Sequence, residues 1–250
     1  MACAFVLVLV ASASRPSPVR WSPTRVSRRG LATMSVGVRA EEDMLLDLVA
    51  NGASSGAILK GFAALEAAAP TPDDLLLTPS GIDAIDGRWL LRATIAAQAG
   101  ETDLEASGIS NAVNASGIVV DTSKAPPVQE VNTGTKRIGN EISFALPLGA
   151  TAFVRVAGGF DADSSSGRRA NVEFDTLDVW AFRRRVLRAG WLFKLIKAVR
   201  PGALNGDDSS SWLDTTYLSD RVRLGRGNKG SVFVLERCPP DEGPLDAWPL

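Results

Sequence analysis

The stretch Trp212–Arg237, WLDTTYLSDRVRLGRGNKGSVFVLER, constrains this chain more than any other. Two short apolar runs, Val222-x-Leu224 and Val232-Phe233-Val234-Leu235, flank a polar segment from Gly225 to Gly230 whose glycines can supply φ > 0. That pattern predicts an antiparallel hairpin. Leu213–Leu218, rich in Thr and Tyr, predicts an extended neighbour before it.

The same segment matches a nucleotide-binding pattern, Gly225-x-Gly227-x-x-Gly230-x-Val232. A dinucleotide fold would follow it with a helix and an acidic residue about 20 positions on. Here the next residues read as a strand. A kinase loop needs a lysine strand, a catalytic loop and a metal-binding aspartate downstream, and the residues up to Leu250 hold no such set. The glycines are therefore read as turn chemistry.

Upstream, Glu41–Val49 and Ser55–Ala69 predict helices. In the second, Ile58, Phe62, Leu65 and Ala69 share one helical face. Pro70 ends it, and the residues to Gly81 read as an irregular connection. A first strand opens at Ile85-Asp86-Gly87-Arg88-Trp89 and runs to about Ala96, with Trp89, Leu91, Ala93 and Ile95 expected on one face. Gly108–Ser116 predicts one helical turn. Further strands are expected at Pro127–Thr133, Arg137–Leu146, Thr151–Phe160 and Arg169–Phe182, the last two joined by a polar hairpin tip. Arg183–Arg200, RRRVLRAGWLFKLIKAVR, has seven basic residues and no acid. Leu187, Trp191, Leu195 and Val199 recur every fourth residue, which fits a basic amphipathic helix before the C-terminal strands. The alternative is a helix or strand packed on the sheet with its charges in water.

Composition removes whole classes of chemistry. The chain has no histidine, which removes the commonest general base, the Ser-His-Asp triad and most zinc sites together. Its two cysteines, Cys3 and Cys238, make no disulfide framework. Asp83 and Asp86 sit where turn and cap chemistry is expected rather than an acid pair. No metal cluster, nucleophile elbow or phosphate loop is found, so a non-enzyme without cofactor is expected. Six arginines and no acid precede Glu41, which leaves 21 basic against 28 acidic residues afterwards. A net-acidic domain argues against nucleic acid. The residues before Glu41 combine an apolar run, Ala4–Ala11, too short for the roughly 20 residues that span a bilayer, with a Ser/Pro/Arg-rich stretch. They are read as a targeting leader, 1–40, with the mature chain expected to begin between about Ser27 and Glu42.

Gly87-Arg88-Trp89 at a strand start, the preceding helical pair, NAVNASGIVVDT, and above all Trp212–Arg237 resemble the plastid lipid-associated proteins, the plant and algal fibrillins. The resemblance covers roughly Glu41 to Arg237. It implies a mainly β, lipocalin-like antiparallel barrel over 79–238, after a helical segment over 41–78 and before a tail over 239–250. It also implies a plastid protein at plastoglobules or thylakoids that binds or coats apolar lipids or isoprenoids. The alternatives are a soluble lipid carrier and a scaffold for a plastid lipid-biosynthetic enzyme. Co-purification of an enzyme would single out the scaffold.

Small closed sheets pack side chains inside or hold one small ligand. The candidate lining is Trp89, Phe144, Phe174, Tyr217 and Phe233, with Arg223, Arg155 or Arg226 as a polar anchor. Tyr217 and Arg223 are expected at a lipid head group, with the phase of Arg223 open because it would turn Val222 and Leu224 outward. Arg184, Arg188, Trp191, Lys194 and Lys197 are the candidate contacts with a plastid membrane or lipid-droplet surface.

Overall fold

The computed structural model describes residues 36–95, 126–145, 151–181, 184–191, 211–228 and 230–239. The readings placed on the residues before 36, on Gly108–Ser116 and on Lys194 and Lys197 fall outside these.

Two helices lead. Helix α1 spans Val36–Ala50, beginning earlier than Glu41, and α2 spans Ser55–Ala68. Ser54 caps α2 by accepting the Ala57 N–H at 3.4 Å, which satisfies one of the free donors of the first turn. Ile58, Phe62 and Leu65 form its buried stripe, as the spacing predicts. The expected irregular connection is instead ordered. A 3₁₀ turn covers Leu75–Leu77, and a third helix, α3, covers Pro79–Ile85. Thr78 accepts from Gly81 N–H at 3.3 Å and Pro79 fills the first helical position, where its missing N–H costs nothing.

Nine strands follow: β1 Gly87–Ile95, β2 Val128–Asn132, β3 Arg137–Ala145, β4 Thr151–Ala162, β5 Arg169–Ala181, β6 Arg184–Arg188, β7 Ser211–Leu218, β8 Val222–Gly227 and β9 Val232–Arg237. They form one antiparallel sheet in the order β4-β3-β2-β1-β9-β8-β7-β5-β6. Strand β5 also pairs with β4, so the order returns on itself unevenly. Eleven positions pair between β4 and β5, against four between β5 and β7. The later half of β5 is taken instead by β6.

Over Arg184–Arg188 that last strand takes the strand alternative in place of the basic helix, and residues 192–200 lie outside the described residues. Arg184–Arg188 is extended and pairs with β5, because a neighbouring strand offers its backbone partners that a lone amphipathic turn does not. The terminal hairpin is tighter than expected as well. Gly225 and Gly227 lie within β8, and only Gly230 of the three has positive φ, at 76°. A side chain at Gly225 would meet Leu213 at 3.1 Å, so space, not turn geometry, keeps that position small.

A β-bulge between Leu91 and Ala93 switches the phase of β1. Trp89 and Leu91 therefore face one side and Ala93 and Ile95 the other, which overturns their expected common face. Both sides of the sheet are apolar as a result. On the inner side Trp89, Val131, Ile138, Phe160, Val172 and Leu235 pack with Leu75, Leu76 and Ile85 from the α3 region. On the outer side α1 and α2 cover Tyr217, Val222, Leu224, Val232 and Val234 with Leu45, Ile58, Phe62 and Leu65.

Candidate functional site

The outer helices settle the phase of β8. Val222 and Leu224 face out, yet both are fully buried beneath α1 and α2. Arg223 is left to face inward, opposite Leu218 on β7 and Leu235 on β9. It is 2% exposed.

Trp89 forms the floor beside it. The ring is fully buried, and its Nε1–H donates to the Ile85 carbonyl at 2.9 Å, so α3 fixes its orientation. The Arg237 guanidinium lies 4.0 Å from the ring centroid and the Arg223 guanidinium 5.6 Å. Arg237 is occupied: it donates to the carbonyls of Ala84, Asp86 and Asp220 and ties the C-terminal strand to α3. Arg223 is held by less. Its Nη2 donates to Gln129 Oε1, while Nε and Nη1 are buried without a hydrogen-bond partner. Gln129 in turn donates to Asn140 Oδ1 at 3.1 Å. Burial, reinforced by the like charge of Arg237, pushes the Arg223 pKa down to about 10, which still leaves it protonated at neutral pH.

The remaining expected lining residues divide. Phe174 and Phe233 are half-buried and pack against the inner cluster with Trp89. Phe144 lies in β3, paired with Ala152, and its side chain is outside the described residues. Tyr217 is a correction. A bulge between Thr215 and Tyr217 puts it on the outer face, where its hydroxyl donates to the buried Glu42 of α1 at 2.7 Å. It cannot share a head group with Arg223.

The two other arginines considered as anchors also face out. Arg155 pairs with Glu141 at 2.9 Å on the opposite face from Gln129, and burial pushes its pKa down to about 9 despite that acid. Arg226 forks onto Glu66 through Nε and Nη2 at 2.9 and 2.6 Å. Asp86 is a capping group: it accepts from the Thr133 N–H and hydroxyl, both at 2.8 Å. Cys238 is half-buried and its thiol is pushed up by burial, which suppresses the reactive thiolate.

Away from the floor the inner face is less covered. Ile142, Val154 and Val156 share the side of Ile138 and are only half-buried, and Thr94, opposite Phe233, is exposed. The arrangement is a surface with a filled, cationic floor and accessible apolar walls. Gln129 and Asn140 escaped the sequence reading, although alternation through Val131 already put Gln129 on the core side of its strand. On the sheet's edge Arg185 and Arg188 of β6 are exposed, and Trp191 just beyond is 62% exposed. Arg184 lies in the same strand.

A family model, PAP_fibrillin, matches residues 43–236. A probable plastid-lipid-associated protein 12, chloroplastic, of Arabidopsis thaliana is 31% identical over 162 residues, covering 64% of this chain and 34% of that protein. The plastid lipid-associated proteins 2 and 1, chloroplastic, of Brassica campestris are 58% identical over 33 residues and 57% over 35. Those matches cover 13% and 14% of this chain, and 10% and 11% of the relatives. The chain thus spans about a third or less of each relative's length. No solved structure shows significant similarity to it. The relatives are all named chloroplastic, which makes this a plastid protein. With the match running from α1 to β9, the chain belongs to the PAP fibrillin family.

Proposed function

We propose that the sheet works as a lipocalin-like barrel that takes an apolar lipid or isoprenoid onto its inner face, at plastoglobules or thylakoids and without catalysis. The family gives the protein its plastid lipid-associated role. The observation that carries the finer reading is the contrast along one face. Trp89 and its neighbours fill the floor, while Ile142, Val154 and Val156 stay accessible above it. Apolar walls around a filled floor suit a lipid tail better than water. Phe174 and Phe233 are the aromatic contacts, and Phe144 is proposed with them. Native mass spectrometry and lipid extraction of the purified protein test this. Co-purifying lipid, or tryptophan quenching by micromolar prenylquinone, carotenoid or fatty acid, is the expected result. Absence of both rejects an internal ligand.

A second reading is supported by the sheet's edge, where Arg185, Arg188 and Trp191 are exposed together. A cationic edge with a tryptophan suits an anionic lipid surface, each basic residue contributing on the order of 1 kcal/mol before screening. Arg188→Glu with Trp191→Ser should weaken sedimentation with anionic plastid-lipid vesicles, and rising salt should weaken wild type similarly. Unchanged binding in both tests assigns the edge to structure alone.

A further inference from the structure

Arg223 is a buried cation with no counter-ion among the described residues. Among the described residues no carboxylate pairs with it, its one hydrogen-bond partner is a neutral amide, and the neighbouring charge, Arg237, has its own sign. The acids nearby in sequence are engaged elsewhere. Asp220 pairs with Arg39 at 2.8 Å and Glu236 with Arg92 at 2.8 Å. A guanidinium taken out of water with two of its three nitrogens unsatisfied is among the costliest arrangements a fold retains, unless a partner arrives.

We infer that this chain selects a long-chain monocarboxylate, whose carboxylate meets the free donors of Arg223 at the Trp89 floor and whose tail lies along the apolar wall. The inference rests on the internal-ligand reading above and adds the head group. Three features set its class. The open donors point to an oxygen acceptor, and charge-assisted bonds to carboxylate are the strong kind. One uncompensated cation neutralises one negative charge, whereas a phosphomonoester or diphosphate would carry excess charge into a buried floor. Arg237 adds like charge nearby but gives its donors to three carbonyls, so the head group is held directly by the two open donors of Arg223, which suit the two oxygens of one carboxylate. Gln129 and Asn140 continue the polar line from Arg223 across the inner face, since Gln129 sits opposite both Trp89 and Asn140. They offer amide donors to the second carboxylate oxygen once Gln129 turns.

The test compares an eighteen-carbon fatty acid with its methyl ester and with an isoprenoid diphosphate, each titrated into the full-length protein by tryptophan fluorescence and native mass spectrometry. A charge-assisted bond predicts that acid binds at least about tenfold tighter than ester. Arg223→Met should bring that ratio close to one. Gln129→Glu provides the second variant: it places a carboxylate where the Arg223 Nη2 already donates, so it should raise the melting temperature of ligand-free protein and remove the preference for acid. Equal binding of acid and ester by wild type overturns the head-group assignment and leaves the internal ligand standing. So does a preference for acid that survives in Gln129→Glu. Tighter binding of the diphosphate overturns the monoanion class. No binding of any of the three overturns both this inference and the reading on which it rests.

Discussion

Single residues in this fold are balanced between burial and pairing, and pH separates the two. Glu130 on β2 stands opposite Arg88, yet burial raises its carboxyl above the ordinary range, outweighing Arg88 and Arg155. A raised acid binds more protons folded than unfolded, so stability falls as pH rises through that window. Glu130→Gln should therefore raise the melting temperature at pH 7, with the gain gone near pH 4. Asp175 gives the mirror case. The two-bond fork from Arg137, at 2.6 Å for each contact, holds its carboxyl below the ordinary range. Its contribution is present above that range and lost as pH falls through the depressed value, so Asp175→Asn should cost stability at pH 7 and nothing at the acid end. Thermal melts across pH check both, and a gain for Glu130→Gln that is the same at every pH removes burial of the charge as its cause. Tyr217 and Glu42 form a buried couple of another kind. Tyr217→Phe takes a donor from a fully buried carboxylate and should cost about 1–3 kcal/mol. Adding Glu42→Leu should recover part of that loss, because an apolar pair leaves nothing unsatisfied. Chemical denaturation of the two variants measures the difference.

Among the elements, α1 bears on where the proposed leader would end. Arg39 is the reason: it reaches Asp220 at 2.8 Å and stands 3.5 Å from Glu42, so it belongs to the fold rather than to a disposable leader. The expected boundary at residue 40 cuts through this helix. The mature chain should therefore begin before Val36, inside the window from Ser27 that composition gave, and intact mass of the plastid form checks it. A chain beginning at Asn51 should expose Tyr217, Val222 and Leu224, bind a hydrophobic dye and aggregate. What was legible in the sequence tracks what is local. The stripe of α2, the strands β2 to β5 and the terminal hairpin follow from spacing within ten residues or so. The third helix hid behind Pro79 and Gly81, although Thr-Pro is itself a start signal once the cap is considered. At β6 the period favours a helix over the strand alternative, because period alone cannot weigh the free edge that β5 presents to it. The bulges after Leu91 and before Tyr217 leave no compositional mark, and each moved half of a strand to the other face. That is why Tyr217 was placed with Arg223 and why the inward phase of Arg223 needed α1 and α2 to be seen.

At the scale of the whole molecule, the sheet is strong where strands are long and weaker where β5 meets β7, a seam as short as the one between β1 and β2. That seam has four paired positions, Arg169 to Val172 against Asp214 to Ser211. It relies on side chains to compensate. Arg169 forks onto Asp214 at 2.7 and 3.0 Å and lies 3.9 Å from the Trp212 ring centroid. Opening free energies within one fold range from near zero to the global value, and the least-paired edges open first. For the proposed lipid, this seam offers a short way to the inner face that leaves the pairing of the Trp89 strand intact, although Ala170 and Val172 of the inner cluster move with it. Amide exchange should therefore be faster in 169–172 and 211–214 than in β3 and β4. Asp214→Asn should speed it further at the seam, because half of the charged fork is lost, while leaving β3 and β4 unchanged. The same variant should raise the on-rate of a bound lipid more than it changes its equilibrium affinity, as a change in the entry step alone requires. Uniform exchange across the sheet, or an Asp214→Asn effect that spreads to β3, would show instead that the sheet opens and closes as one unit.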